Sequence, residues 1–245
     1  VAASAMAMPL FAESGQPQKD AGLPVGTVQP APAPGETIGV GELTNRMTVQ
    51  VQIDGKGPYP FIVDTGAERS VVSNELASTL GLDAGDRARL FDFTGSSTVN
   101  TVKVPILSAG SLSTADMEAP SLAEANLGAP GMLGIDALQG HKVVIDFDRK
   151  RMTLVPAKKR PKGDILVGAE ARLGQLIVTR AEFEGQQIAV IIDTGSWVSI
   201  GNKAMLALAK RKPRLLGPIS VQSVTGRSFS ADYVAVSDLH IGDVR

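Results

Sequence analysis

Two acids in this sequence each follow a short apolar run and precede the same two residues: Asp64 in FIVDTGAERS (61–70) and Asp193 in AVIIDTGSWVS (189–199). Three or four apolar residues ahead of each acid predict a strand buried on both faces. Each carboxylate therefore stands at the edge of a low-dielectric core, where an isolated charge is costly. The threonine hydroxyl can hydrogen-bond to a symmetry mate, and the glycine after it lets the backbone turn sharply and approach a partner closely. If the two segments face each other, the carboxyls come within hydrogen-bond reach, cannot both ionise, and share one proton. One then serves as a base and the other as an acid. Taken singly, each is also ordinary turn chemistry, Asp followed by Thr-Gly.

The context repeats as well. A turn at Asp54-Gly55-Lys56-Gly57 leads into FIVDTGAERSVVS, a short helix and FDFTGSSTVNTV. Later, Glu184-Gly185-Gln186 leads into AVIIDTGSWVSIG, a short helix and VQSVTGRSFSADYV. Asp64 and Asp193 lie 129 residues apart, and the pairs Thr94-Gly95 and Thr225-Gly226 lie 131 apart. Two copies in the same order argue for duplication. Each Thr-Gly pair reads either as an ordinary hairpin turn or as the tip of a flap over substrate.

The elements that must position these residues are mostly strands. Short apolar runs separated by turn residues recur, among them RMTVQVQID, YPFIVD, KVPIL, KVVIDFD, RMTLV, IVTRAEFE, IAVIID and SADYVAVSDLHIGD. Helices are expected only at SNELASTLGL (73–82), opened by Ser73 and closed at Gly81, and at NKAMLALAKRK (202–212). Asp136, Asp146 and Asp148 are assigned to turns and hairpin edges. Trp197 is assigned to the core.

Composition narrows the functions available. The chain has 245 residues, is 43% hydrophobic and 20% charged, and carries a net charge of −1, so it can bury a sizeable core. Its basic residues cluster only at 158–162 and 210–214, both read as solvated, which disfavours nucleic-acid binding. No cysteine is present, which removes disulfides and thiolate chemistry. His141 and His240 are the only histidines and neither has a partner at ligand spacing, so no metal and no cofactor are expected. Residues 1–12 (VAASAMAMPLFA), with Ala-x-Ala patterns, are expected to be the remnant of a secretory signal peptide, implying a periplasmic or secreted protein. Residues 13–37, rich in Pro, Gly and Gln, are expected to form a flexible leader, and no other stretch reaches the ~18 apolar residues of a membrane span.

The hydrophobic-Asp-Thr-Gly-Ala/Ser pattern, the glycine-bearing hairpin some 30 residues on, and the later GMLGIDAL resemble the retropepsin/pepsin class of aspartic peptidases, in particular bacterial retropepsin-like proteins with two lobes in one chain. The resemblance implies a mainly β protein of two tandem retropepsin-like barrel lobes, the acid-protease fold. Residues 38–157 would form the first lobe, 158–164 a linker and 165–245 the second. It implies an endopeptidase in which Asp64 and Asp193 activate water. Thr65 and Thr194 would lock the loops, while Gly66, Ala67, Gly195 and Ser196 line the cleft floor. Thr94, Gly95, Thr225 and Gly226 would be flap tips that grip substrate. Leu133 and Gly134 would belong to the strand supporting the catalytic loop. The implied partner is a protein or peptide substrate.

The counterpart of Gly134 in the second copy would fall near position 263, past Arg245, so the second lobe is expected to lack its closing strands. Two other readings remain open at this level. The first lobe could homodimerise so that two Asp64 residues form the pair, or the fold could serve as a non-catalytic module that binds extended peptides.

Overall fold

A computed structural model describes residues 27–28, 36–43, 46–138, 141–146, 151–156, 169–172 and 175–241. The expected signal remnant, the linker at 158–164 and most of the leader lie outside the described residues. Within the leader two differences emerge: Thr27–Val28 form a strand (β1), and the next strand already begins at Glu36. β1 joins the sheet by antiparallel pairing with β8, Thr27 opposite Ala115 and Val28 opposite Thr114, and two residues are too short a run to announce a strand.

The N-terminal half continues with β2 (Glu36–Leu43), β3 (Arg46–Ile53), β4 (Lys56–Val63), β5 (Val71–Ser73), α1 (Asn74–Leu80), β6 (Ala88–Asp92) and β7 (Gly95–Ala109). It closes with β8 (Leu112–Leu122), α2 (Glu124–Leu127), β9 (Gly131–Leu133), β10 (His141–Asp146) and β11 (Arg151–Pro156). These strands form one sheet in the order β10-β11-β2-β3-β4-β9-β5-β8-β7-β6, with β1 beside β8 and a second pairing of β3 with β7 that curls the sheet on itself. Alternation along β3 shows why: Met47, Val49, Val51 and Ile53 are buried while Gln50 and Gln52 are exposed. They pack with Phe61, Val63, Val104, Leu107 and Leu133 in the main core.

The C-terminal half comprises β12 (Ala169–Arg172), β13 (Gln175–Phe183), β14 (Gln186–Ile191), α3 (Lys203–Ala207), β15 (Arg214–Gln222), β16 (Ser228–Ala235) and β17 (Leu239–Ile241). β12, β13 and β14 form a sheet with β17 against β13, and β15 and β16 form a separate hairpin. Ala181, Phe183, Ile188, Val190 and Met205 make its core.

The repeated turns take the same form. Asp54 and Gly55 have φ of +50° and +73°, and Glu184 and Gly185 have +53° and +77°. Both central residues are thus left-handed, the two-residue turn whose twist matches a hairpin. α1 starts and stops where its sequence indicates: Ser73 Oγ accepts from the Leu76 amide at 3.0 Å and Gly81 closes the helix at φ +66°. α3 is shorter than the expected 202–212. Asn202 caps it, but only Met205 is buried while Leu206 and Leu208 are exposed, so too little apolar surface is covered to hold further turns. No helix among the described residues is long and apolar enough to cross a membrane.

Candidate active site

The Asp64 loop is built by three strands. β9 runs parallel to β4 with Phe61, Ile62 and Val63 opposite Gly131, Met132 and Leu133, and the Asp64 amide donates to Leu133 O at 3.0 Å. Leu133 therefore fixes the point at which β4 hands over to the loop. Asp64, only 8% exposed, accepts from the amides of Gly66 (2.8 Å) and Ala67 (3.1 Å) through Oδ1. Asp193 follows β14 and accepts from the Gly195 amide at 2.8 Å, the same local arrangement.

The two loops are joined by their threonines. The Thr65 amide donates to Thr194 Oγ1 (3.1 Å) and the Thr194 amide to Thr65 Oγ1 (3.2 Å). The Thr65 hydroxyl donates to Ile192 O and the Thr194 hydroxyl to Val63 O, each at 2.6 Å. Each side chain thus satisfies the backbone of the other loop, and the pattern is close to twofold symmetric. Glycine follows each threonine because there is no room for a side chain. A Cβ on Gly66 would lie 2.8 Å from Asp193 Cγ, and one on Gly195 2.5 Å from Asp64 Cγ.

Asp193 stands close enough to Asp64 for its carboxyl to act on that of Asp64. Burial and, next, the charge of Asp193 push Asp64 up to about 8, against the opposing hydrogen bonds from the Gly66 and Ala67 amides. Arg46, at the start of β3, holds a cation near both acids. Burial lowers its pKa, while Asp64 and Asp193 act in the other direction. Its guanidinium occupies the space above Gly128, where a Cβ would collide with Nη2. Nothing in the sequence pattern marks Arg46, since its place near the pair arises from the pairing of β3 with β2, Arg46 opposite Leu43.

Asp136 stands in a turn, as expected, and is also a buried brace of the Asp64 loop. It accepts from the Ser70 amide (2.9 Å), the Ser70 hydroxyl (2.7 Å) and the Ala137 amide (2.8 Å), while Ser70 Oγ accepts from the Gly134 amide at 3.0 Å. Ile135 N donates to Ala67 O at 2.9 Å. Burial raises the Asp136 pKa, opposed by the Ser70 and Ala137 hydrogen bonds. The Leu-Gly-x-Asp spacing at 133–136 was the available signal. Gly134 is confined by the same contacts, since a Cβ there would lie 2.5 Å from the Arg69 backbone.

Thr94 lies in the turn between β6 and β7, and Gly95, at φ +126°, opens β7. Thr225 and Gly226, the latter at φ +82°, lie in the turn between β15 and β16. The structure brings these turns together. Thr225 Oγ1 donates to Asp92 Oδ2 at 2.8 Å, and Phe93 meets Phe229 edge-on with ring centroids 5.6 Å apart. Burial opposes ionisation of Asp92, but hydrogen bonds from Thr94, Thr225 and Ser223 outweigh it and hold the carboxyl below the usual range. Phe93, Thr94, Arg227, Ser228 and Phe229 line an open cavity of ≈ 590 Å³.

One residue stands otherwise than its sequence reading. Trp197 is 61% exposed and is not a core residue: it stands in the irregular segment that follows Asp193. Ser196 turns its hydroxyl to Val198 O at 2.8 Å, within its own loop. Among the described residues no three His, Asp or Glu side chains cluster as a metal site.

Residues 49–140 match the family model described as "gag-polyprotein putative aspartyl protease". This segment resembles a retropepsin-like aspartic peptidase domain. The match spans β3 to the loop after β9 and so contains Asp64, Thr65, Ser70 and Asp136. Among solved structures, the chain is similar to a retropepsin-like aspartic protease from Rickettsia conorii, at 18% identity and a TM-score of 0.37, covering 49% of this chain and 89% of that one. No curated protein matches it.

Proposed function

We propose that the chain is an aspartic endopeptidase that hydrolyses peptide bonds with a water activated between Asp64 and Asp193. The observation that carries this reading is the reciprocal Thr65–Thr194 lattice, which sets the two carboxyls against each other within one chain. One proton is shared between the two carboxyls; in this proposal Asp64, whose pKa is raised by burial and by the charge of Asp193, acts as the acid and Asp193 as the base. The water gives a proton to Asp193 as its oxygen attacks the peptide carbonyl carbon, and Asp64 gives its proton to the carbonyl oxygen. In breakdown the leaving nitrogen takes the proton from Asp193, the C–N bond breaks, and a diol hydroxyl returns a proton to Asp64. Neither a metal nor a covalent intermediate takes part in these steps.

Leu133 and Gly134 support the loop in this reading, and the turns at Thr94-Gly95 and Thr225-Gly226 hold an extended peptide from above by strand-like hydrogen bonds. Export to the periplasm or beyond belongs to the same proposal and rests on residues 1–12. Fractionation of cells expressing the protein with its natural leader is expected to place it outside the cytoplasm.

The decisive experiment is digestion of a peptide library by the wild type, Asp64→Asn and Asp193→Asn, with each variant's fold checked by circular dichroism. Both variants are expected to lose cleavage by at least about a hundredfold, the scale of removing a general acid or base. A statine-type mimic of the tetrahedral state is expected to inhibit the wild type. Full activity in Asp193→Asn would transfer the chemistry to a pair of Asp64 residues from two copies.

A further inference from the structure

The two turns over the site are related by the repeat, yet they are not equivalent. Asp92-Phe93-Thr94-Gly95 and Ser223-Val224-Thr225-Gly226 align at the same offset of 131 residues that relates the Thr-Gly pairs, so Ser223 stands where its counterpart is Asp92. The single acid serves both turns. Its Oδ1 accepts from the Thr94 amide (2.7 Å) and hydroxyl (2.5 Å), and its Oδ2 accepts from Thr225 Oγ1 (2.8 Å). In the other turn Ser223 does locally what Asp92 does in its own: its Oγ accepts from the Thr225 amide at 3.3 Å and lies 2.8 Å from Thr225 Oγ1. An acid at both places would set two carboxylates against one hydroxyl.

The junction lies over the site. Val224 packs against the cluster of Ile62, Val71, Leu127 and Met132, and so do Leu90 and Val99 from the first hairpin. Ile62 is two residues before Asp64 on β4 and faces away from the main core, so the two turns close over the wall that flanks the catalytic loop. Gln222 Nε2 donates to Asn126 Oδ1 at 3.2 Å and fixes the second hairpin to α2.

We propose that Asp92 is a positioning residue of the peptidase, a one-sided clasp whose carboxylate ties the β15–β16 turn to the β6–β7 turn and so forms the roof against which a substrate is held. Asymmetry is the point of the device. A single chain can place an acid on one turn and a hydroxyl on the other, whereas two identical turns meeting here would bring like groups together.

The test exchanges the two residues. Asp92→Ser and Ser223→Asp are each expected to lower kcat/KM on a cleaved peptide by about tenfold, mainly through KM, the size of one hydrogen bond to a charged group. The double exchange, Asp92→Ser with Ser223→Asp, is expected to return to within about threefold of the wild type, since the acid is restored on the other side of the clasp. Thr225→Val is expected to fall like Asp92→Ser, while Thr225→Ser retains the donor and the activity. A double exchange as impaired as the two single changes combined would overturn the proposal, as would equal kcat/KM in wild type and Asp92→Ser.

This kinetic arm rests on the peptidase reading, and a second arm does not. Because the chain has no cysteine, nitroxide labels on Thr98→Cys and Ser230→Cys report the separation of the hairpins directly. One narrow distance is expected in the labelled parent, a broad distribution with Asp92→Ser added, and narrowing again in the exchange. Equal distributions in all three would overturn the clasp whether or not any peptide is cut.

Discussion

At Asp64 a carboxyl is held where its charge is costly, and the consequences are readable against pH. Its pKa in the folded protein stands near 8 while an unfolded Asp titrates at about 4. Between those values the folded state binds more protons than the unfolded one, so the stability contribution is complete below about pH 4 and is lost as pH rises toward 8, by about 1.4 kcal/mol per unit. Asp64→Asn removes that slope. The variant is expected to be ~2–4 kcal/mol more stable than wild type at pH 7 and nearly equal to it at pH 4, a difference urea titrations at the two pH values would reveal. Cleavage by the wild type is expected to decline above about pH 8, as the proton that Asp64 donates is lost. The glycines opposite the acids are equally constrained. In Gly195→Ala the new Cβ would lie 2.5 Å from Asp64 Cγ. That forces the carboxyls apart, and kcat is expected to fall by about a hundredfold or more, since a misplacement of about 1 Å can cost that much.

At the scale of elements, what was legible in the sequence was local, and what escaped it was bridged by distance. The two-residue turns at Asp54-Gly55 and Glu184-Gly185, the Ser73 and Gly81 caps and the β4 strand each carry their cause within a few residues. The pairing of Leu133 with the Asp64 loop was legible only through family resemblance, because a parallel strand 70 residues away leaves no local trace. Asp136 is the turn residue its sequence suggests, but its bracing role escaped for the same reason: its partner Ser70, which also accepts from Gly134, comes from a loop that meets it only after β4, β5 and β9 have assembled. Trp197 was assigned inward on its type alone, although its position in a loop past β14 leaves it outside. The Asp136 brace yields a prediction at this scale. Asp136→Ala leaves the Ser70 amide and hydroxyl and the Ala137 amide without their acceptor in a buried site, at an expected cost of about 2–4 kcal/mol by denaturant midpoint. Asp136→Asn keeps one acceptor oxygen and is expected to lose less than half of that.

For the molecule as a whole, the site exists only where the two halves meet, so its integrity depends on contacts that neither half makes alone. The N-terminal half contributes Asp64, its brace and an extensive core, while the other contributes Asp193 just after β14 of a separate four-stranded sheet. Between them, Thr65 and Thr194 form a lattice in which each hydroxyl is both donor to a carbonyl and acceptor from an amide. Replacing either hydroxyl by a methyl group removes one donated bond and leaves the opposite amide without an acceptor in a partly buried place. Thr65→Val and Thr194→Val are each expected to destabilise the chain by ~1–3 kcal/mol. Because the two side chains serve one interface, the second change finds part of the lattice already lost. The double variant is then expected to fall short of the sum by about 0.5 kcal/mol or more, the signature of coupled residues. Thr65→Ser retains the hydroxyl and is expected to stay within about 0.5 kcal/mol of the wild type. Strict additivity in that cycle would mean that the halves are held together elsewhere. The pairing of Asp64 with Asp193 would then lose the contacts that make it a property of one chain.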